Sequence, residues 1–564
     1  MRKAAKDPLT DAKAAERWIA TFNSADPLAL HVAVLGELAR AADPGARHTP
    51  SQLEAVFALD ARTAELRSTL TAQYVEHANR SSRIETQLWS ALFDLAQAFL
   101  LAYQSFTREL SAGAIPSWQS LLPELVARQI VQLGLDAKVR MYRFEQWIPA
   151  KWSELHGLLS LALSRKFERQ YVSLDVNGAH TTIEHEYIFV LLLQLIHSGN
   201  MTPKHLDYVA HELRDWSQPL RLTLEASSVT SFYVDLAGRE GLKRRRTPAP
   251  LEGRVLFVDT GPLHSVLRQH ILVLDQKLKS QPQSERTTKR AEQLNLLTKL
   301  ASQVDPEYRP FARRGERTAA TGTADAIVGF AHIASYLRDE ERDPVSSAKA
   351  GKSFGGTMEL AVFGRVLHEQ DRIHEQARRR LIAVAAKGGP WEVKDVSQTG
   401  YRLVAPMAVA NVVTLGTVVA LHAHGKRGWT LGVVRRIRRV TSERAEIGLQ
   451  NIASALLGVD LIEQRKSAEG DYSVDGELAT INGRTFPGLL LAVKKRDSDT
   501  PVLSLMLAAV EYQPSRKLKL QTSKLMSPVR LGRILEQQPE WVWTAIEPMN
   551  STLPLPEIAI GAAE

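Results

Sequence analysis

The sequence contains no cysteine. That absence removes structural disulfides, thiolate nucleophiles, cysteine-ligated zinc and iron–sulfur clusters together, and it favours a reducing compartment. No secretory signal is expected either: MRKAAKDPLTDAKAAERW starts basic, but Asp7, Asp11 and Glu16 stand where an apolar segment belongs. Long hydrophobic runs are also lacking. The longest near-apolar stretch, Ile188 to Ile196, is about half of what a membrane-crossing helix needs, and Gln194 interrupts it. The expectation is a cytoplasmic chain without a transmembrane segment.

Catalytic and metal-binding patterns are scarce too. Gly351-Lys352-Ser353 matches the end of a phosphate-binding loop, but the first glycine of that pattern would fall at Ser346 and the preceding DEERDP is a charged loop instead of a strand. His180, Glu184 and His185 follow neither HExxH nor its inverse, and adjacent Glu184 and His185 point to different faces of a helix. They are expected as ordinary surface or helix-start residues. No GxSxG elbow and no local Ser, His and Asp set proposes a triad. The chain is therefore expected to be no enzyme, with no catalytic residues, no metal and no cofactor.

What is present is an ordinary globular composition, 44% hydrophobic and 24% charged, over 564 residues. That length exceeds one hydrophobic core and implies about three or four domains. The net charge of +9 points to anionic partners without making the chain a nucleic-acid binder.

From about Ala12 to Arg221 apolar residues recur at three- and four-residue intervals, as in Ile84, Leu88, Leu92, Leu95, Phe99 and Tyr103. Asp26-Pro27, Thr49-Pro50 and Thr202-Pro203 each place a cap before a proline at a helix start. The pattern turns β-rich at Val229–Leu236 and Arg254–Asp259, and then helices are expected at Leu263–Leu278 and Ala324–Leu337. Asp339 to Thr357 reads as a linker. After Pro390 the period becomes two, with strand segments Trp391–Val404, Val412–His422, Trp429–Val440 and Ala445–Ala453. A second β-rich unit follows, with strands near Gly488–Val493, Val502–Ala508 and Lys517–Gln521. The fold class expected is α+β.

Three basic clusters stand out: Lys243 to Arg246, Arg378-Arg379-Arg380, and Arg435-Arg436 with Arg438-Arg439. In the last, strand alternation puts Trp429, Leu431, Val433 and Ile437 on one face, with Arg435 on that apolar side and Arg436 and Arg438 facing away. An arginine so placed needs an anionic partner or a path to water. Close upstream, Asp395-Val396-Ser397-Gln398-Thr399-Gly400 fits D-x-S-x-x-G inside the strand pair WEVKDVSQTGYRLVAP.

The stretch from about Glu375 to Glu463 resembles a PilZ domain, a bacterial β-barrel module that commonly binds cyclic di-GMP. The resemblance rests on the upstream arginines, the DVSQTG turn, the GTVVAL strand and the GWTLGVVRRI and AEIGLQNI closing pair. It implies a ligand site made of Arg378, Arg379, Arg380, Asp395, Ser397 and Gly400, with Arg372, Arg402 and Arg435 as further contributors. Guanidinium groups would hold phosphates and stack on guanine. Asp395 would accept from guanine N–H groups, with Ser397 beside it. Gly400 would allow positive φ or a close backbone approach. One departure from the family is plain: four positions after Arg378, Arg379 and Arg380 stand Ile382, Ala383 and Val384, so the usual pair of arginines separated by three residues is absent.

The organisation expected is a helical domain at 1–225, a mixed α/β segment at 226–338, a linker and connecting helix at 339–374, a PilZ-like barrel at 375–464, a second β-rich domain at 470–547 and a tail at 548–564. The function implied is a non-enzymatic cyclic di-GMP effector whose helical region meets a protein partner. Two alternatives stay open. One is an adaptor with a PilZ-like barrel that binds proteins without nucleotide. The other is a nonspecific nucleic-acid binder, against which stands the lack of a helix-turn-helix or an RNP-like aromatic strand.

Overall fold

The computed structural model describes the chain apart from residues 1–6, 23–25, 44, 46–47, 79–81, 113–117, 175–179, 198, 227–231, 246–253, 281–287, 308–317, 343–389, 398, 411–412, 424–427, 454, 464–483, 494–501, 523–525 and 550–564. The fold is α+β, and the chain divides into two compact units, Met1–Pro310 and Phe311–Glu564.

The first unit is built on helices α1 (Ala12–Ile19), α2 (Pro27–Ala41), α3 (Pro50–Arg62), α4 (Ala64–His77), α5 (Ser82–Ala112), α6 (Leu122–Tyr142), α7 (Pro149–Arg165), α8 (Ile183–Ile196) and α9 (Pro203–Trp216), followed by α10 (Gly261–Ser280) and α11 (Thr288–Val304). The three proline-marked starts are real N-termini. Asp26, Thr49 and Thr202 accept from the amides of Ala29, Gln52 and His205, and Gln52 returns the bond to the Thr49 amide in a capping box. Along α5, Leu88, Leu92, Leu95, Phe99 and Tyr103 are buried as their spacing predicts, whereas Ile84 is exposed. Short strands β1 (Val172–Ser173) and β2 (His180–Thr181) pair with each other, and β3 (Leu222–Thr223), β4 (Phe232–Asp235), β5 (Lys243–Arg244) and β6 (Val255–Val258) form a sheet in the order β3-β6-β4-β5.

The buried Asp60 of this unit sits in a network of donors. The Asp60 carboxylate accepts from Arg67 at 2.7 Å, Arg128 at 3.2 Å, Tyr103 at 2.8 Å and Gln132 at 2.9 Å. Glu184 and His185, expected as surface or helix-start residues, stand in the first turn of α8, where both are buried. Glu184 can be buried because it accepts from Arg169 at 3.0 Å and from the Leu222 amide at 2.8 Å. In the first basic cluster, Lys243 meets Glu240 and Arg244 lies 4.4 Å from the Phe232 ring centroid while donating to the carbonyls of Gln303 and Asp305. Neither is a free phosphate ligand.

The second unit holds two closed antiparallel barrels. The first consists of β7 (Thr318–Val328), β8 (Trp391–Ser397), β9 (Gly400–Pro406), β10 (Val418–Ala423), β11 (Thr430–Arg439) and β12 (Arg444–Ala453). The second consists of β13 (Ala455–Glu463), β14 (Thr485–Val493), β15 (Val502–Ala508), β16 (Lys517–Gln521), β17 (Met526–Gln537) and β18 (Trp541–Pro548). Going around the first barrel the order is β7-β8-β9-β12-β11-β10; around the second it is β13-β14-β15-β18-β17-β16. The two orders are the same with six added to each number. A short helical turn follows the third strand in both, at Met407–Ala410 and at Ala509–Glu511. The unit is therefore one topology used twice.

One sequence expectation is corrected here. Ala324–Leu337 is not a single helix: its first residues belong to β7, which pairs with β8 and β10, and helix α12 (Phe330–Arg342) starts only after Gly329 at φ +90°. Alanine-rich ADAIV reads as helix in isolation, but two flanking strands supply the edges that hold it extended. The first barrel thus takes its opening strand from upstream of the 375–464 span, while β13, inside that span, pairs with β14 and β16 of the second barrel.

Helix α12 lies between the barrels. Phe330, Ile333, Ala334 and Leu337 share one buried cluster with Val418, Ala420, Leu431 and Val433 of the first barrel and Leu489, Leu491, Met506 and Trp541 of the second. Its backbone sits directly on Gly458, where a Cβ would meet the Arg338 nitrogen at 2.2 Å. Only glycine permits that approach.

Candidate ligand-binding site

The DVSQTG turn is the hairpin joining β8 to β9, with Ser397 opposite Gly400. A register shift between Val393 and Asp395 makes Lys394 a bulge residue, so Asp395 comes to face Arg402 directly. The Arg402 Nε lies 2.6 Å from Asp395 Oδ2, and its Nη1 lies 3.8 Å from Glu446. Asp395 is buried beneath this guanidinium. Ser397 Oγ donates to the Gly400 carbonyl at 3.2 Å, which closes the turn. Gly400 has no positive φ; its role is close approach, since a Cβ there would lie 2.1 Å from the Leu449 carbonyl oxygen.

Cross-strand partners share a face, so the register extends this turn across the outside of the barrel. One row runs Asp395, Arg402, Gly448, Arg436; the row beside it runs Ser397, Gly400, Gln450. Arg435 joins the second row through its side chain, with Nε donating to Gln450 Oε1 at 2.8 Å. Of the expected site residues, the structure brings together Asp395, Ser397, Gly400, Arg402 and Arg435. Arg372, Arg378, Arg379 and Arg380 lie outside the described residues.

Arg435 has the anionic partner its position demands, and that partner is protein. Its two terminal nitrogens donate to Glu536 of the second barrel at 2.7 and 2.5 Å, a bidentate pair. Nearby the Trp541 indole donates to the Gly416 carbonyl at 3.0 Å, so the β17–β18 turn grips the first barrel at two points. The expected alternation along β11 is corrected past Val433. A register shift between Val434 and Arg436 leaves Arg435 unopposed, so Ile437 turns to the face of Ile447 and Arg436 and Arg438 join the outer surface. Leu431 and Val433 remain on the face that packs against α12 and the second barrel.

A double-mutant cycle on Arg435→Ala and Glu536→Ala, read by urea unfolding of the β signal, is expected to give a coupling energy of about 1 kcal/mol, the upper range for a partly exposed pair with bidentate geometry. Losses that simply add would show that the pair does not fasten the barrels.

These features define the class of the first barrel: it is a PilZ domain. Residues 371–456 match the family described as "Cyclic-di-GMP receptor FimW, middle PilZ domain", a span that contains β8 to β12 and every expected site residue. Residues 13–227 match the family described as "Cyclic-di-GMP receptor FimW, N-terminal domain". The particular relative is the cyclic-di-GMP receptor FimW of Pseudomonas aeruginosa, to which this chain is 24% identical over 357 residues, 57% of this chain and 57% of that protein. The chain thus spans little more than half the length of the curated relative it matches. Strand β7 and the strands from β14 onward lie outside both matched segments. Among the described residues no helix is long and apolar enough to cross a membrane.

Sequence reasoning gave Arg436 only as one arginine of a basic cluster facing away from the apolar side, and it missed Gln450, Gly448 and Glu536. Gln450 and Gly448 become visible only through the β9–β12–β11 register, and Glu536 only through the packing of one barrel on the other.

Proposed function

We propose that this protein is a non-enzymatic, cytoplasmic receptor for cyclic di-GMP, that the nucleotide lies on the outer face of the first barrel, and that the helical unit meets an output protein. The observation that carries the reading is the Asp395, Ser397 and Gly400 hairpin with the Arg402 guanidinium against Asp395, inside the segment that matches a PilZ domain. A carboxylate fixed by an arginine is pre-oriented to accept from the N–H edge of a guanine. The Arg378, Arg379 and Arg380 segment and Arg372 would supply phosphate contacts from upstream, and ligand binding would bias the arrangement of the chain without chemical change.

The adaptor reading keeps one observation in its favour: Asp395 and Arg435 already have protein partners, Arg402 and Glu536. Calorimetric titration of the full chain with cyclic di-GMP, with GTP as the competitor control, separates the two. Saturable binding that GTP does not displace is expected. Asp395→Ala and Arg379→Ala should each weaken it by about 1.5–3 kcal/mol, the scale of a charge-assisted hydrogen bond. A parent chain that binds no cyclic di-GMP would leave the adaptor reading in its place.

A further inference from the structure

The outer row Asp395, Arg402, Gly448, Arg436 contains two guanidinium-bearing residues with a glycine between them. Arg402 is on β9 and Arg436 on β11, separated by the single strand β12. Two strand spacings put their Cα atoms roughly 9–10 Å apart. That gap is wide enough for one phosphate group to be flanked by a guanidinium on each side. Any side chain at 448 would stand in the gap, and glycine leaves it open.

The two arginines are differently prepared. Arg402 forms an ion pair with Asp395, its Nε 2.6 Å from Oδ2, and its Nη1 lies 3.8 Å from Glu446, which leaves N–H groups of its fork for another acceptor. Arg436 is exposed and has no carboxylate, hydrogen-bond or ring partner among the described residues. The β11 bulge is what puts it there, because the residue next to it, Arg435, takes Glu536 and leaves Arg436 alone in register with Gly448. Of the carboxylates close to this row, Asp395 contacts Arg402, while Glu446, on β12 two residues before Gly448, lies 3.8 Å from Arg402 and in register with Arg438 of β11.

We infer that Arg402, Gly448 and Arg436 form a phosphate-binding notch on the outer face of the first barrel. It takes one phosphodiester of the dinucleotide. The assignment rests on the receptor reading for the identity of the ligand, but the notch itself is defined by the chemistry of a phosphate between two planar donor forks. Arg436 is then a binding residue that no upstream motif supplies, on the opposite side of Gly448 from Asp395.

The test uses the full chain and two probes. With cyclic di-GMP, Arg436→Ala is expected to weaken binding roughly tenfold or more, the loss of one charge-assisted contact. Arg436→Lys should recover part of that, since it restores the charge but not the fork. Gly448→Leu should weaken binding at least as much while Arg436 is still present. Arg436→Ala should leave Tm unchanged, because the side chain has no hydrogen-bond or ion-pair partner among the described residues. If cyclic di-GMP binds and both Arg436→Ala and Gly448→Leu bind it like the parent, the notch is overturned and the receptor reading stands. If the parent binds no cyclic di-GMP, the receptor reading fails. Pyrophosphate then decides the notch: binding weakened by Arg436→Ala supports it, and no binding, or binding that Arg436→Ala leaves unaltered, overturns it.

Discussion

Asp60→Ala is expected to destabilise the helical unit by about 3–5 kcal/mol, the cost of removing one partner from a buried charge network. Asp60 is 3% exposed and serves Arg67, Arg128, Tyr103 and Gln132 at once. Its loss strands donors from three helices. Arg128 keeps Glu124 at 2.8 Å, which limits the damage at that one group. Burial pushes the Asp60 carboxyl up, but the charges of Arg67 and Arg128 and the Tyr103 hydroxyl outweigh it and hold the group below its ordinary 3.8. A carboxyl depressed in the folded state contributes stability above its unfolded pKa and loses it as pH falls through the folded value. The difference between the parent and Asp60→Asn should therefore be full near neutral pH and shrink once pH drops below about 4. Urea unfolding followed by helical ellipticity at several pH values measures both effects. A difference that stays constant down to strongly acid pH would mean that Asp60 acts by shape and hydrogen bonding, not by charge.

What the sequence made legible was local. Three cap-and-proline starts, the buried face of α5 and the DVSQTG hairpin were all readable because each depends on residues a few positions apart. β7 was not, since its residues have no strand alternation of their own and are extended only because Val328 and Thr318 find Val419 and Val396. The doubled barrel escaped notice for a related reason: the strand order repeats, but the DVSQTG turn of the first copy has no counterpart pattern in the second. Half of the candidate site was readable from its motif. The other half, Gln450, Gly448 and Arg436, stands on β12 and β11 and is placed by register, while Glu536 lies 101 residues from the arginine it holds. Bulges at Lys394 and Arg435 shift the alternation by one, which is why face assignments from a strict period of two fail past those points.

Gly400→Ala is expected to be the most damaging single-methyl change in the first barrel, costing about 3 kcal/mol or more, the upper range of overpacking. The methyl would lie 2.1 Å from the Leu449 carbonyl oxygen, with the Leu449 carbonyl carbon at 3.2 Å and the Gln450 Cα at 3.4 Å. All three are backbone atoms, so relief requires moving β12 away from β9. That movement would break the Gln450–Gly400 pairing and carry Gln450, Arg435 and the Glu536 contact with it. Gly428→Ala is the informative control. That glycine has φ +84° and open space around its Cβ position, so alanine there meets only the left-handed backbone penalty of about 1–2 kcal/mol. Gly448→Ala should cost less than Gly400→Ala, because its methyl would meet the Arg436 Cβ at 3.2 Å, a contact that a shift of a few tenths of an ångström relieves. Thermal unfolding of the three variants orders these costs. Calorimetry then joins stability to function: Gly400→Ala should abolish cyclic di-GMP binding, since the turn and the β12 row that faces it move together. Equal losses at Gly400 and Gly428 would place the requirement for glycine in backbone conformation and remove the close approach of β9 and β12 as the reason this turn ends in glycine.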